Sequence, residues 1–197
     1  MLRIAFILFL VLPGFAAGDS WQPVTIAGEV SPNAERLVRV IPGDSWGESY
    51  GFAGAKLGSH ARAIFYERNG ADPYVRTNEI ELLNPVRPVD FFLTDAGELV
   101  TFDNWHNMGY GQVVVIYDSK GDLVVSYTLE ELYQNAANIE ALPKSVSSIW
   151  WRCGDPRLIG REFTIDEANG GSFRLQLPSG EIKYEEGAYG AEVERCK

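Results

Sequence analysis

The sequence predicts an all-β fold of about three four-stranded antiparallel units with one short helical segment. Short β-branched and aromatic runs recur at close spacing, turns ending in glycine separate them, and one order of strand, turn and aromatic loop occurs twice. The runs cover residues 36–41, 61–67, 98–102, 112–117, 122–127, 162–165, 172–177 and 181–184. Four connections, at residues 68–70, 95–98, 118–122 and 178–181, carry Gly70, Gly97, Gly121 and Gly180 where a type I turn with a bulge needs positive φ. The one helical stretch is 129–141, opened by Thr128 with Glu131 three residues on, the spacing of a capping box.

The repeat organises these pieces. In one copy a strand leads through Asp95 and Gly97 to a second strand, then Asp103-Asn104-Trp105, a glycine-rich loop, and Tyr110-Gly111 before the third strand. An earlier copy runs from Ser31-Pro32-Asn33 through Leu37 to Asp44-Ser45-Trp46 and Tyr50-Gly51, with an insertion before its third strand. A third, weaker copy matches in its last two strands, on either side of the turn at 178–180. The units therefore run over about 23–84, 86–134 and 147–187, within a single β-rich domain covering 18–197.

Antiparallel four-stranded units repeated every 45 to 60 residues or so resemble the blades of a β-propeller. Ser31-Pro32-Asn33 ahead of Leu37 resembles the Ser-Pro-Asp/Asn turn of such blades. The resemblance covers most of residues 23–187; it implies a fold and no activity. A closed propeller has at least about four blades, so three units imply a curved incomplete stack or a homodimer closing a six-bladed ring. Packing as a β-sandwich or barrel satisfies the same pattern.

Residues 1–17 read as a cleaved signal peptide. Arg3 supplies the positive start, residues 4–12 are uninterruptedly apolar, Pro13 and Gly14 break the run, and Ala16-Ala17-Gly18 offers small residues for cleavage. Nine apolar residues span about 14 Å as a helix, half of what a bilayer needs. The reading is a secreted or periplasmic chain with no membrane attachment after cleavage. Asn-x-Ser/Thr is absent from the sequence, which leans towards a bacterial source. Cys153 and Cys196 are the two cysteines, and export to an oxidising compartment makes one structural disulfide the expectation, tying the chain end to the last unit.

With 17 basic against 27 acidic residues, the chain would be repelled by nucleic acid and anionic lipid. No nucleic-acid partner and no cofactor is expected. The acidic turns at 118–122 and 166–170 lack the ligand spacing of a calcium loop, so no metal site is expected either. The candidate binding face comprises Trp46, Tyr50, Asp103, Trp105, His106 and Tyr110, on two loops that join equivalent strands. Aromatic rings offer apolar area with a polar edge, and Asp or Asn adds hydrogen bonds, which suits a carbohydrate or a protein partner. The alternative is that the indoles cap the units from inside. No nucleophile elbow is present and His60 and His106 are the only histidines, so no catalytic residue is singled out. The expected function is a non-catalytic exported binding protein. An extracytoplasmic hydrolase with acidic catalytic groups, or a structural subunit of a larger assembly, is the alternative.

Overall fold

The structure is a computed structural model and describes residues 21–45, 56–133 and 136–187. The expected signal peptide, Trp46, Tyr50 and Cys196 lie outside the described residues.

Three four-stranded sheets follow one another along the chain, each an antiparallel meander. The first comprises β1 (Ala27–Val30), β2 (Arg36–Ile41), β3 (Arg62–Glu67) and β4 (Val75–Glu81). The second comprises β5 (Pro88–Leu93), β6 (Leu99–Asn104), β7 (Val114–Tyr117) and β8 (Leu123–Tyr127). After α1 (Leu129–Leu132) and α2 (Ala136–Glu140), the third comprises β9 (Arg157–Ile159), β10 (Glu162–Asp166), β11 (Ser172–Gln176) and β12 (Ile182–Glu185). The all-β, blade-like reading holds, and the sheets do not close into a barrel. All four glycine turns take the expected positive φ, at Gly70, Gly97, Gly121 and Gly180. β1, β4, β5 and β9 have no counterpart among the runs read from sequence, and β9, with three residues, is too short to show a period.

Burial explains the stacking. Every residue of β6 and β7 is buried, because successive side chains point to opposite faces and both faces are covered. Leu99, Val115 and Tyr117 join Val38, Val40, Ala63 and Phe65 of the first sheet in one core. Val100, Phe102, Val114 and Ile116 join Phe163, Ile165, Phe173 and Leu175 of the third sheet in another. The second sheet is thus the filling between two others. The third sheet alternates instead: in β11 Phe173 and Leu175 are buried while Arg174 and Gln176 are exposed.

Polar groups tie the layers where the apolar faces end. Asn84 is fully buried and donates to the Asp103 carbonyl at 3.1 Å and to Asn104 Oδ1 at 3.0 Å, while accepting from the Thr101 hydroxyl at 2.8 Å. The Tyr117 hydroxyl accepts from the Leu83 N–H at 2.7 Å, and burial pushes its pKa up to about 12. Between the second and third sheets, the Tyr127 hydroxyl donates to the Gly180 carbonyl at 2.9 Å. Gly180 has φ +74°, and a Cβ there would lie 2.3 Å from Val125 Cγ1, so both the turn and the packing require glycine. Arg161 reaches across to the buried Glu98 carboxylate, which also accepts from Thr94.

The expected helical stretch breaks in two. The capping box forms, with the Glu131 N–H donating to Thr128 Oγ1 at 3.3 Å and the Thr128 N–H to Glu131 Oε2 at 2.8 Å. Tyr133 then leaves helical geometry and buries its ring edge-on against Phe173, centroids 5.1 Å apart, so tertiary packing ends the helix.

Phe102 is fully buried, edge-on to Phe92 and Phe163 at 5.9 and 5.5 Å. Phe102→Ala is expected to lower unfolding free energy by about 3–5 kcal/mol, read from urea denaturation. A second prediction concerns Glu98. Burial pushes its pKa up, but hydrogen bonds from Arg161 and Thr94 and the Arg161 charge pull harder and leave it below 4.5. A carboxylate held low in the folded state contributes stability that is present above its unfolded pKa and lost as pH falls through the folded one. Arg161→Met should therefore move the acid limb of the stability curve to higher pH, as urea midpoints across the acid range will show.

Candidate functional site

The loop between β6 and β7 is built from beneath. Asp103 has φ +57°, a left-handed conformation that Asp tolerates better than most residues, and its side chain is fully buried. Its Oδ1 accepts the Trp151 indole N–H at 2.7 Å and the Gly109 N–H at 3.0 Å, while Oδ2 accepts Arg152 Nε at 2.7 Å. Arg152 also pairs with Asp90 and donates to the Gly154 carbonyl at 2.8 Å. Burial alone would lower the Arg152 pKa, but Asp103 and Asp90 raise it above its ordinary value, so the cation stays charged inside the fold. The neighbouring Asn104 side chain donates to the carbonyls of Tyr110 at 2.6 Å and Gln112 at 3.2 Å, which pulls the two ends of the loop together.

A second loop abuts the first. The Ile149 N–H donates to the Met108 carbonyl at 2.9 Å, and a Cβ on Gly109 would lie 2.4 Å from the Ile149 carbonyl oxygen. Only glycine, here at φ +79°, lets the loops meet.

On this base stands an aromatic cluster. Trp105 and His106 are both half-buried, and His106 takes φ +73°. The Arg87 guanidinium lies over the Trp105 ring at 4.2 Å, a cation–π contact. Trp21 completes the group, with its ring 5.5 Å from Trp105 and 5.7 Å from His106, edge-on to the imidazole. Its indole N–H donates to Ser147 Oγ at 3.4 Å. Burial lowers the His106 pKa below 6.5.

Of the residues predicted for the binding face, the structure brings Trp105 and His106 together. Tyr110 is half-buried and packs against the core shared with the third sheet. Asp103 lies under the face with both oxygens engaged. Whether a matching loop around Trp46 and Tyr50 stands alongside falls outside the described residues. Sequence reasoning did not single out Trp21, Arg87 or Ser147, which come from distant segments. Trp151 is fully buried on Asp103, whereas its sequence neighbour Trp150 is 48% exposed. The two acidic turns are hairpin turns. Asp118 Oδ1 accepts the N–H groups of Lys120 and Asp122 at 2.8 and 2.9 Å, and Glu167 Oε2 accepts those of Asn169 and Gly171 at 3.0 and 3.1 Å. Among the described residues no group of three His, Cys, Asp or Glu side chains could hold a metal ion. No protein-family model matches the chain, and no curated protein matches it in sequence.

Removing Asp103 would leave buried Arg152 short of a partner and two N–H donors unpaired. Asp103→Ala is expected to cost about 3–5 kcal/mol in urea unfolding. His106 provides a pH test. With its folded pKa below the unfolded value, the stability it supports above pH 6.5 is lost as pH falls through the folded pKa. The imidazole proton resonance should titrate below pH 6.5, and His106→Gln should flatten the fall in stability over that interval.

Proposed function

We propose that this chain is an exported, non-catalytic binding protein that uses the aromatic face around Trp105 and His106 for a carbohydrate or protein ligand. One observation carries the reading: three rings, Trp21, Trp105 and His106, gather at the loop end of the second sheet, with centroids no more than 6.5 Å apart. They rest on the buried Asp103–Arg152 pair, so the face is preorganised. Residues 1–17 supply the export signal in this reading, and the mature chain works in the periplasm or outside the cell. Buried Cys153 pairs with Cys196, the only other cysteine of the sequence, to hold the chain end on the third sheet. A hydrolase reading has less support, since Asp103, the acid of the aromatic loop, is spent on three donors.

A second reading, a subunit of a larger assembly, draws on the open stack. Both faces of β6 and β7 are covered, whereas the outer faces of the first and third sheets carry exposed Arg39 and Arg174. A second copy closing the ring would be the simplest such assembly.

Screening the wild-type chain against oligosaccharide and peptide libraries, with Trp105→Ala as control, tests the first reading. Trp105→Ala should weaken ligand binding at least about tenfold, with an unfolding free energy lowered by no more than about 2 kcal/mol. Unchanged binding would remove Trp105 from the site, and collapse of the fold would assign the ring to structure. A strictly monomeric mass in solution would sink the ring-closing dimer.

A further inference from the structure

The face already holds a ligand of a kind, the chain's own segment ahead of β1. Residues 21–26 belong to no strand, yet they lie along the aromatic cluster. Trp21 sets its ring against Trp105 and His106, and its N–H meets Ser147 Oγ. The Trp105 indole N–H donates to the Gln22 carbonyl at 3.2 Å, and Arg87 Nη1 donates to the Thr25 carbonyl at 3.1 Å. Two donors of the face therefore read main-chain carbonyls, which any extended peptide offers. The carbonyls stand three residues apart with Pro23 between them. Three residues is the repeat of a polyproline II helix, in which groups at i and i+3 face the same way. Aromatic-lined grooves bind proline-containing segments in that form, because the ligand loses little entropy on ordering.

The same contacts disfavour a sugar. A pyranose wants an open ring face with acidic or amide acceptors beside it. Here Arg87 stacks on the Trp105 ring, and the Asp103 carboxylate is engaged beneath the loop.

We propose that the face is a peptide-recognition site for an extended, proline-containing segment bearing one tryptophan, and that residues 21–25 occupy it in cis. This rests on the binding reading above and narrows its ligand to a polypeptide. A partner must displace the cis segment, which competes at the millimolar effective concentration of a short tether.

A synthetic peptide of residues 18–26, carrying a fluorophore, tests this in trans against the full chain. Trp21→Ala removes the ring contacts and the Ser147 hydrogen bond of the cis segment and so weakens its competition, and that chain should bind the peptide at least about tenfold more tightly than wild type. A peptide with its own Trp21→Ala change, or a chain with Trp105→Ala added, should lose that binding. Circular dichroism and urea midpoints report whether each chain is folded, and Trp21→Phe, expected to show a smaller gain, carries the comparison if the alanine chain unfolds. A folded Trp21→Ala chain that ignores the peptide overturns the proposal, as does equal affinity for the wild-type and Trp21→Ala chains. If a soluble hexasaccharide then binds in a Trp105-dependent way, the peptide assignment falls and the binding face survives. If neither probe binds, the binding face falls with it.

Discussion

The carboxylate of Asp103 joins three parts of the molecule that share no strand: the end of β6, the turn at Gly109, and the Trp151-Arg152 segment that leads into the third sheet. A buried carboxylate costs several kcal/mol in lost hydration, and it is tolerated only when its lone pairs are filled and a cation is near. Both conditions are met here. The left-handed backbone at Asp103 belongs to the same arrangement, because it turns the side chain beneath the loop that it supports. Asp90 provides a second carboxylate to Arg152 from β5, so the pair extends to the edge strand next to β6 in the second sheet.

Around that cluster the sheets stack because each has an apolar face to hide. The second sheet has two, and this makes it the centre of the molecule. Its central strand reads as an unbroken β-branched and aromatic run, Val113 to Tyr117, whereas β11 of the third sheet alternates apolar with polar or charged residues. The layers are pinned at their rims by buried polar side chains such as Asn84 and Glu98, whose partners lie on the adjoining unit. Sliding one sheet over another would leave such groups unpaired, so these contacts set the register of the stack.

Rigidity below and looser attachment above suit the proposed role. The aromatic loop is fixed by Asp103, Asn104 and the close approach of Gly109 to Ile149, while the segment across it is held by a few long hydrogen bonds and ring contacts. Such contacts are worth about 1 kcal/mol each, enough to seat a short segment and little enough to let another replace it.

The sequence by itself determined eight of the twelve described strands, the turns and the unit order, because those depend on neighbours within a few positions. Alternation marks the outer strands, glycine at positive φ marks Gly70, Gly97, Gly121 and Gly180, and Thr128 with Glu131 marks the helix start. The same local signals could not foresee that the helix would stop at Tyr133, whose ring is drawn into the core by Phe173. Nor could they sort the rings. Trp150 and Trp151 are adjacent in sequence, yet one is largely exposed and the other buried, because Asp103, 48 positions away, takes the Trp151 indole N–H. Trp21 reaches Ser147 across 126 positions, and Trp105 reaches Gln22 across 83. Which aromatic side chains form the face, and which acid lies beneath it, was decided only by the tertiary structure, since stacking the sheets is what brings those distant segments within hydrogen-bonding range.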